Sequence, residues 1–352
     1  MALQAAWLEM RSLGKIPRLE ATDGYAEIAK VAYDLGLEEV ANEAAKEIEK
    51  SLADLPLSAE AARWLLVPTM VTGLLDGFAA GLDKVELLPK PDESEPSYLT
   101  PYWATMGSLL IQAGRLKEAE ELFARSLGLV ERYALFDEYY PVNNNLGVCL
   151  MEQGRLEEAR RHFDAAIEYA KAETSPSHHA TGRDNLTILA YEAGEYEEAT
   201  QLGSRLLVAD GPTSGVRMVM SLHAIVGLSC LELGRLRQCR EAERELQILL
   251  DRHGPLSNDL SYVHTFLARM RSLRGEEDEA VAALGRAAAF YEGRNVLAKL
   301  RIELERFRIL TRIGVDCRDG LRTLLQTAMP TGARPLVVRI QAQLERGQRA
   351  PG

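Results

Sequence analysis

The 352-residue sequence has few cysteines, no long apolar run and no export-type N-terminus. Its four cysteines are scattered, with no pair at metal-ligand spacing, which argues against a disulfide framework and against a zinc site. No stretch approaches the roughly 18 uninterrupted apolar residues of a membrane-spanning helix. The N-terminus lacks the basic-then-apolar order of a signal peptide. These absences predict a cytoplasmic protein that does not associate with a membrane.

The sequence also lacks the short motifs that mark common enzyme sites. There is no GxxxxGK[ST] phosphate loop, no HExxH or CxxC motif and no GxSxG nucleophile motif. His178 and His179 are adjacent, but no third ligand lies near them in a Ser/Thr/Pro-rich stretch, which favours an exposed turn over a metal site. We therefore expect a protein that is not an enzyme and that has no cofactor or metal.

The chain is acidic except at its C-terminal end. The formal net charge is −11, and an acidic chain lacks the clustered Lys and Arg that supply non-specific affinity for nucleic acid. Residues 301–352 contain ten arginines against five acids. We interpret this basic end as a solvated helix face and not as a nucleic-acid site.

A glycine followed by a charged, helix-favouring segment recurs along the chain. Five clear copies, spaced by 40, 40, 40 and 41 residues, begin at Gly114, Gly154, Gly194, Gly234 and Gly275. Weaker copies begin at Gly36 and Gly314, and one more degenerate unit fits around Gly73–Gly81. Self-similarity at a fixed period of about 20–50 residues is typical of solenoid proteins.

Each unit has the pattern of two antiparallel helices joined at its glycine. Small residues flank the joint, as Gly147 and Ala159 do around Gly154, so that the two helices can approach closely. Glycine accepts the positive φ that ends a helix, and prolines such as Pro101 and Pro141 are expected near the start of each first helix. Stacked pairs share one core. The predicted fold class is therefore all-α, a right-handed superhelical solenoid of antiparallel helix pairs.

Two neighbouring units also share a set of specific positions. These are Trp103, Gly107, Leu110, Gly114, Ala119 and Phe123 in one unit, and Leu146, Gly147, Leu150, Gly154, Ala159, Phe163 and Ala166 in the next. The units resemble tetratricopeptide repeats, strongly over residues 97–292 and more weakly over 22–327. Residues 1–21 are then expected to form a lead-in helix, and residues 328–352 a capping helix over 334–347 followed by a mobile tail.

The length of the unit departs from the roughly 34 residues usual in that family. Units of 40 residues resemble the sensor arrays of MalT-like and other STAND-class bacterial regulators, and peptide-sensing regulators of the Rap type also use long repeats. This resemblance implies a role in bacterial signalling. A Rap-like phosphatase would need a catalytic three-helix bundle before the repeats, and residues 1–60 look too short and too repeat-like to provide one.

In such a superhelix the first helix of each pair lines the concave face, where we expect a binding groove. The candidate residues are Asn144, Asn145, Asp184, Tyr191 and Glu192 at its centre, with Arg183, His223 and Arg269 at its margins. Asparagine is a poor helix former. Its repetition in register at Asn145 and Asn185 predicts either hydrogen bonds to the main chain of an extended ligand or bonds between neighbouring helices.

An acidic residue also recurs near the end of three first helices, at Glu152, Glu192 and Glu232. An acid in this position opposes the helix dipole, so its recurrence needs a reason. The first and third acids have an arginine three residues later as a possible partner. Glu192 is followed instead by Glu195 and is expected to be unpaired. Together with Asp184, it would favour a cationic group on a ligand.

Two functions of different classes fit these observations. The leading hypothesis is a non-enzymatic scaffold that binds a protein or a peptide, with a cationic one favoured, in the concave groove. The alternative is the effector-sensing half of a larger MalT-like or STAND-class regulator, in which a small molecule changes the superhelix. Self-association is open in both cases, and neither requires a nucleic acid or a membrane as a partner.

Overall fold

A computed structural model describes residues 18–54, 58–172, 176–209, 215–253 and 260–349. Within these ranges the chain forms seventeen α-helices, one short 3₁₀ helix (Met329–Thr331) and no β-strand. The helices are α1 (Arg18–Asp34), α2 (Glu38–Leu52), α3 (Ala59–Leu75), α4 (Phe78–Leu87), α5 (Pro96–Gln112), α6 (Leu116–Tyr133), α7 (Phe136–Glu152), α8 (Leu156–Ala172), α9 (Pro176–Glu192), α10 (Tyr196–Ala209), α11 (Val216–Glu232), α12 (Leu236–His253), α13 (Ser261–Leu273), α14 (Glu277–Tyr291), α15 (Val296–Arg312), α16 (Arg318–Ala328) and α17 (Arg334–Arg349). None of these helices is long and apolar enough to cross a membrane.

Sixteen of the helices form eight consecutive pairs, and α17 follows the last pair. We call the first helix of each pair the inner helix and the second the outer helix. Inner helices pack against both their own outer helix and the inner helices of neighbouring pairs. They are more buried as a result: α7 has nine buried residues and α8 has four. The predicted solenoid of helix pairs is confirmed.

Hinge glycines end the inner helices as predicted. Gly154 has a φ of 80°, and its N–H bonds to the Met151 carbonyl at 2.9 Å. The Arg155 N–H then bonds to the Leu150 carbonyl at 2.9 Å, which closes the helix end through a left-handed residue. The same positive φ occurs at Gly36, Gly114, Gly194, Gly234, Gly275 and Gly314.

The second pair turns at a different glycine from the ones that the repeat suggests. Its turn lies at Gly77, which has a φ of 113°. Gly73 and Gly81 lie within α3 and α4, where a Cβ on Gly81 would be only 2.8 Å from the Gly73 Cα atom. These two glycines therefore allow the helices to touch, while Gly77 makes the turn.

Two of the prolines expected near the starts of helices lie inside them instead. Because α5 begins at Pro96 and α7 at Phe136, Pro101 and Pro141 are each the sixth residue of a 17-residue helix. A proline there leaves the carbonyl four residues earlier without its helical bond. The expectation was wrong because the additional length of the repeat extends each inner helix upstream of the proline.

The C-terminal helices fold back against the middle of the array. Leu324 of α16 and Ile340 of α17 belong to the same apolar core as Phe163 of the fourth pair. The ring of Pro335 covers the fourth hinge, where a Cβ added to Gly154 would lie 2.9 Å from the proline Cγ atom. The end of the chain thus packs on hinges that are about 180 residues earlier in the sequence.

The capping helix differs from its prediction in two respects. Leu336 and Ile340 are buried, as expected, but Arg339 turns inward although arginines were expected to face outward. The helix also extends to Arg349, so residues 348 and 349 of the predicted mobile tail are helical. Residues 350–352, and residues 1–17 of the predicted lead-in helix, lie outside the described residues.

The first pairs contact later pairs in the same way. Arg217 of α11 donates hydrogen bonds to the Tyr33 carbonyl at 2.8 Å and to the Glu38 carboxylate at 2.6 Å. Arg294, after α14, donates to the Leu75 carbonyl at 2.6 Å. The solenoid is therefore wound tightly enough for its first two pairs to contact α11 and the turn after α14.

Candidate functional site

Candidate side chains form two clusters on the inner helices. The amide row consists of Ser108 on α5, Asn144 and Asn145 on α7, and Asn185 on α9. The ionic cluster lies at the carboxyl ends of α7 and α9 and consists of Glu152, Glu192, Tyr262, Arg301 and Arg339. Asn144 and Glu152 share α7, so the two clusters are about 12 Å apart along that helix.

Hydrogen bonds in the amide row connect three consecutive inner helices. Asn145 Nδ2 donates to Ser108 Oγ at 3.2 Å, and Asn185 Nδ2 donates to Asn144 Oδ1 at 2.8 Å. The Asn144 Nδ2 atom lies 3.5 Å from Asn145 Oδ1. A carboxamide has two donor hydrogens and two acceptor lone pairs. These bonds therefore use only part of the hydrogen-bonding capacity of each carboxamide. They also hold the unused donors and acceptors in register along the superhelix.

Asp184 lies beside the amide row, one residue before Asn185, and has an unpartnered oxygen. Its Oδ1 atom is inaccessible to solvent and has no hydrogen-bond partner among the described residues. Burial raises the pKa of the Asp184 carboxyl to about 7. A buried carboxylate without a partner is costly, and a donor or a cation placed against it would be strongly stabilised.

Acids at the ends of the inner helices pair with distant arginines. Glu152 pairs with Arg301 of α15, and Glu192 pairs with Arg339 of α17 at 2.6 Å. The Tyr262 hydroxyl donates to the other Glu192 oxygen at 2.8 Å, and the Arg301 guanidinium lies 5.4 Å from the Tyr262 ring centre. The expectation that Glu192 is unpaired is wrong, because the chain's own last helix supplies its cation.

The third acid of this series is also held by a residue from another helix. Glu232 pairs with Arg269 of α13 at 2.7 Å, and Arg269 also binds Glu305 of α15 at 2.9 Å. Arg235, three residues after Glu232, binds Glu197 at 2.7 Å instead. The predicted pairing within each hinge is therefore wrong, since the hinge arginines reach the preceding outer helix.

The ionic cluster keeps Glu192 ionised and leaves little space for another group. Burial raises the pKa of the Glu192 carboxyl, but the charges of Arg339 and Arg301 and hydrogen bonds from Arg339 and Tyr262 outweigh it, so the pKa lies below its usual value. The Tyr191 ring lies edge-on to Tyr262 at 5.9 Å, and burial raises the pKa of Tyr191 to about 12. The space left between these groups is about 10 Å³, which is enough for little more than one water molecule.

Comparison with known proteins decides what kind of array this is. Residues 138–207, which lie within α7 to α10, match the family model described as tetratricopeptide repeat. This part of the chain contains tetratricopeptide repeats. A search of curated proteins found no match.

Solved structures share the arrangement of helices at low sequence identity. A Rap protein complexed with competence and sporulation factor is 11% identical, with a TM-score of 0.62 over 94% of this chain and 98% of that chain. The Rap conjugation gene regulator of plasmid pLS20, in complex with the Phr* peptide, is 12% identical, with a TM-score of 0.54 over 99% and 95%. The quorum sensor NprR from B. thuringiensis, in its apo form, is 13% identical, with a TM-score of 0.53 over 93% of each chain.

At these identities the likeness shows the fold of the tetratricopeptide array.

The tetratricopeptide array brings only some of the predicted site residues together. Tyr191 and Glu192 lie in or against the ionic cluster, and the charge of Arg269 acts on Tyr191. His223 lies half-buried on α11, where burial lowers its pKa and the Glu245 carboxylate of the outer helix α12 opposes that shift. Arg183 is half-buried next to Asp184.

The paired histidines lie in a helix and not in the predicted turn, although His178 is exposed as expected. His178 belongs to the first turn of α9 and stacks on Tyr140, with ring centres 4.2 Å apart. No group of three or more His, Cys, Asp or Glu side chains in the described part of the chain is arranged to hold a metal ion.

Two important residues, Arg301 and Arg339, were missed by the sequence analysis. Their only signal is the excess of arginine after residue 300, which was interpreted as a solvated face. They bind acids 149 and 147 residues earlier in the chain. A local pattern does not reveal pairs at this separation, because the winding of the solenoid determines which turns meet.

Proposed function

We propose that this chain is a non-enzymatic tetratricopeptide scaffold of the bacterial cytoplasm that binds an extended peptide segment of a partner at the amide row. The observation that carries the proposal is the buried Asp184 oxygen without a hydrogen-bond partner. A lysine or arginine side chain, or a terminal amine, would give this carboxylate the partner that the described residues do not provide.

The amide row supports a peptide as the ligand. An extended main chain exposes alternating N–H and C=O groups, and a carboxamide can donate to one and accept from the other. Asn144 and Asn145 are held by Asn185 and Ser108, so little side-chain entropy would be lost when they bind a ligand.

The cation of the ligand is assigned to Asp184 and no longer to Glu192. Glu192 already has Arg339 and Tyr262 as partners, and the ionic cluster has no room for another group. Binding there would require displacement of α17 from the core that it shares with the fourth pair. Asp184 is half-buried on α9, so a ligand would reach its Oδ1 atom after local side-chain movement, with α17 still in place.

A random peptide library, panned against the full-length protein, tests this proposal. We expect enriched peptides to carry a basic residue or to depend on a free amine. Affinity would be measured for the wild type and for Asp184→Asn, which keeps the shape of the side chain and removes its charge. We expect at least a tenfold loss of affinity, about 1.4 kcal/mol, without a loss of thermal stability.

The matched control is Asp164→Asn on the exposed face of the outer helix α8. This variant should bind the enriched peptides as the wild type does. Equal affinity for the wild type and Asp184→Asn, or the absence of any enriched peptide, would contradict the proposal.

A second candidate is the effector-sensing half of a larger MalT-like or STAND-class regulator, where a small molecule would replace the peptide. The ion pairs between α15, α17 and the earlier inner helices favour it, since they couple the inner face to the winding of the whole array. The quorum sensor NprR and the pLS20 conjugation regulator share the fold. A ligand-dependent change in the radius of gyration, measured by X-ray scattering, would favour this candidate over a passive scaffold.

A further inference from the structure

A cavity of about 590 Å³ lies where the first two pairs face the seventh pair. Its walls come from α2 and the end of α3 on one side and from α13 and α14 on the other. This volume is within the range of about 300–1,000 Å³ that is usual for small-molecule sites. We call it the seam pocket. It shares no residue with the amide row or the ionic cluster.

The seam pocket has an apolar floor with space above it. Ala283 and Ala287 are one turn apart on α14, and their short side chains leave the volume open. Leu75 faces them from α3, and Phe290, 36% exposed, extends the same stripe of α14. The Arg294 guanidinium lies over the Phe290 ring at 4.6 Å and holds it at the rim.

Charged groups of both signs line the pocket in equal number. Two carboxylates belong to Glu38 and Glu39 on α2, and two guanidiniums belong to Arg286 and Arg294 on the opposite side. Glu38 is bound by Arg217, and Arg294 is bound by the Leu75 carbonyl. These two groups therefore have partners and fix the walls.

Three polar groups remain for a ligand. Within the described part of the chain, Glu39 and Asn42 on the α2 wall and Arg286 on the α14 wall have no hydrogen-bond or ion-pair partner. An amine would be attracted to Glu39, and a carboxylate to Arg286. A purely anionic or purely cationic molecule would satisfy one wall and be repelled by the other.

We propose that the seam pocket binds a small zwitterion with an apolar body, of the size and chemistry of an apolar dipeptide. Its amine would lie against Glu39, its carboxylate would lie against Arg286, and its side chains would cover the alanines and the Phe290 ring. Because the ligand touches the first and the seventh pairs at once, it would stabilise the closed winding of the solenoid.

The probes are dipeptides with free termini built from Val, Leu, Ile, Met and Phe, and the protein is the full chain. Binding would be measured by calorimetry and by the shift in Tm. We expect one or more of these dipeptides to bind and to raise Tm. N-acetylated or C-amidated forms of the same dipeptide should lose at least tenfold in affinity.

Three variants test the assignment. Glu39→Gln and Arg286→Gln change exposed residues and should each weaken binding about tenfold while the protein remains folded. Ala283→Phe, at a half-buried position, should fill the pocket and abolish binding. Asp164→Asn, on the exposed face of α8 and outside the seam pocket, is the control and should leave dipeptide binding unchanged.

Three results would overturn the proposal. They are failure of every dipeptide to bind, equal binding of the blocked forms, and undiminished binding to Ala283→Phe. None of these results bears on the amide row, so this proposal and the proposed function fail separately.

Discussion

One residue on the inner helices, Asp184, destabilises the folded protein in a way that the fold itself does not require. Asp184 places an unpartnered carboxylate oxygen out of reach of solvent. Hinge glycines adopt a backbone conformation that other residues resist, but there the turn between the helices explains it. No turn or contact in the fold explains the buried carboxylate of Asp184. We therefore interpret Asp184, and not the hinge glycines, as the sign of a binding site.

The pH dependence of stability should reveal Asp184. Its pKa is about 7 in the folded protein and about 3.9 in an unfolded chain, so between these values the folded state binds a proton that the unfolded state has lost. Stability from this group is therefore present at low pH and falls as pH rises from about 4 to 7. Asp184→Asn should be more stable than the wild type at pH 8, by about 1–4 kcal/mol.

Urea denaturation of both proteins at several pH values would measure that difference. It should shrink towards zero below pH 4, where the carboxyl is protonated in both states. A difference that stays constant with pH would show that Asp184 is ionised and satisfied in the folded protein.

The fourth hinge makes a second prediction at this scale. Gly154→Val should destabilise the protein by about 1–3 kcal/mol, because a β-branched residue resists a φ of 80° and its Cβ would lie 2.9 Å from Pro335 Cγ. Gly194 has the same φ with no atom within 4 Å of an added Cβ, so Gly194→Val should cost less. Thermal melts of both variants check this order, and a Gly154→Val protein that melts like the wild type would contradict it.

At the scale of helices, α17 is both a cap and a partner of the inner face. Leu336 and Ile340 bury its apolar side in the core of the third and fourth pairs, while Arg339 reaches Glu192 from the same helix. Its position is thus defined by packing on one face and by charge on another. An apolar stripe alone would leave its orientation along the array less well determined.

Arg339→Gln should destabilise the protein at pH 7 by about 1–3 kcal/mol, since it leaves the buried Glu192 with one partner fewer. The value is reduced because the Arg339 side chain is 35% exposed. Glu192 has a folded pKa below its unfolded value, so the pair contributes at neutral pH and the effect should fade as pH falls below about 4. Denaturation of Arg339→Gln at pH 7 and pH 3 measures the loss of stability at each pH. Arg346→Gln, which changes an exposed arginine of the same helix, is the control.

A loss equal at both pH values would show that Arg339 acts by packing and not by charge. The double variant Arg339→Gln/Glu192→Gln offers a second check. It should recover part of the stability that the single variant loses, because it no longer buries an uncompensated charge.

The sequence predicts the ends of the inner helices well, because neighbouring residues determine them. Gly154 and its equivalents follow from the repeat and from the need for a positive φ. The sequence did not predict that Pro101 and Pro141 lie inside their helices. A proline often starts a helix, but here five residues extend each helix upstream of it. In the site, Asn144 and Asp184 could be placed on an inner helix from spacing alone. The partner of Glu192 could not, since Arg339 is 147 residues away.

At the scale of the whole molecule, arginines of later helices bind earlier pairs and assist the winding. The acidic array has a net charge of −11 despite a C-terminal segment with ten arginines and five acids. Arg301 and Arg339 from that segment bind acids on the fourth and fifth inner helices. At the other end, Arg217 and Arg294 bind the first and second pairs.

A structure of the full-length protein with an enriched peptide bound would test the proposed site most directly. We expect an extended peptide along the inner helices, with its main chain hydrogen-bonded to Asn144 and Asn145 and a cationic group within 3.2 Å of Asp184 Oδ1, the usual limit for such a bond. The Arg339–Glu192 pair should remain intact. A peptide bound to the outer helices, with Asp184 still unpartnered, would contradict the assignment of the inner face as the binding site.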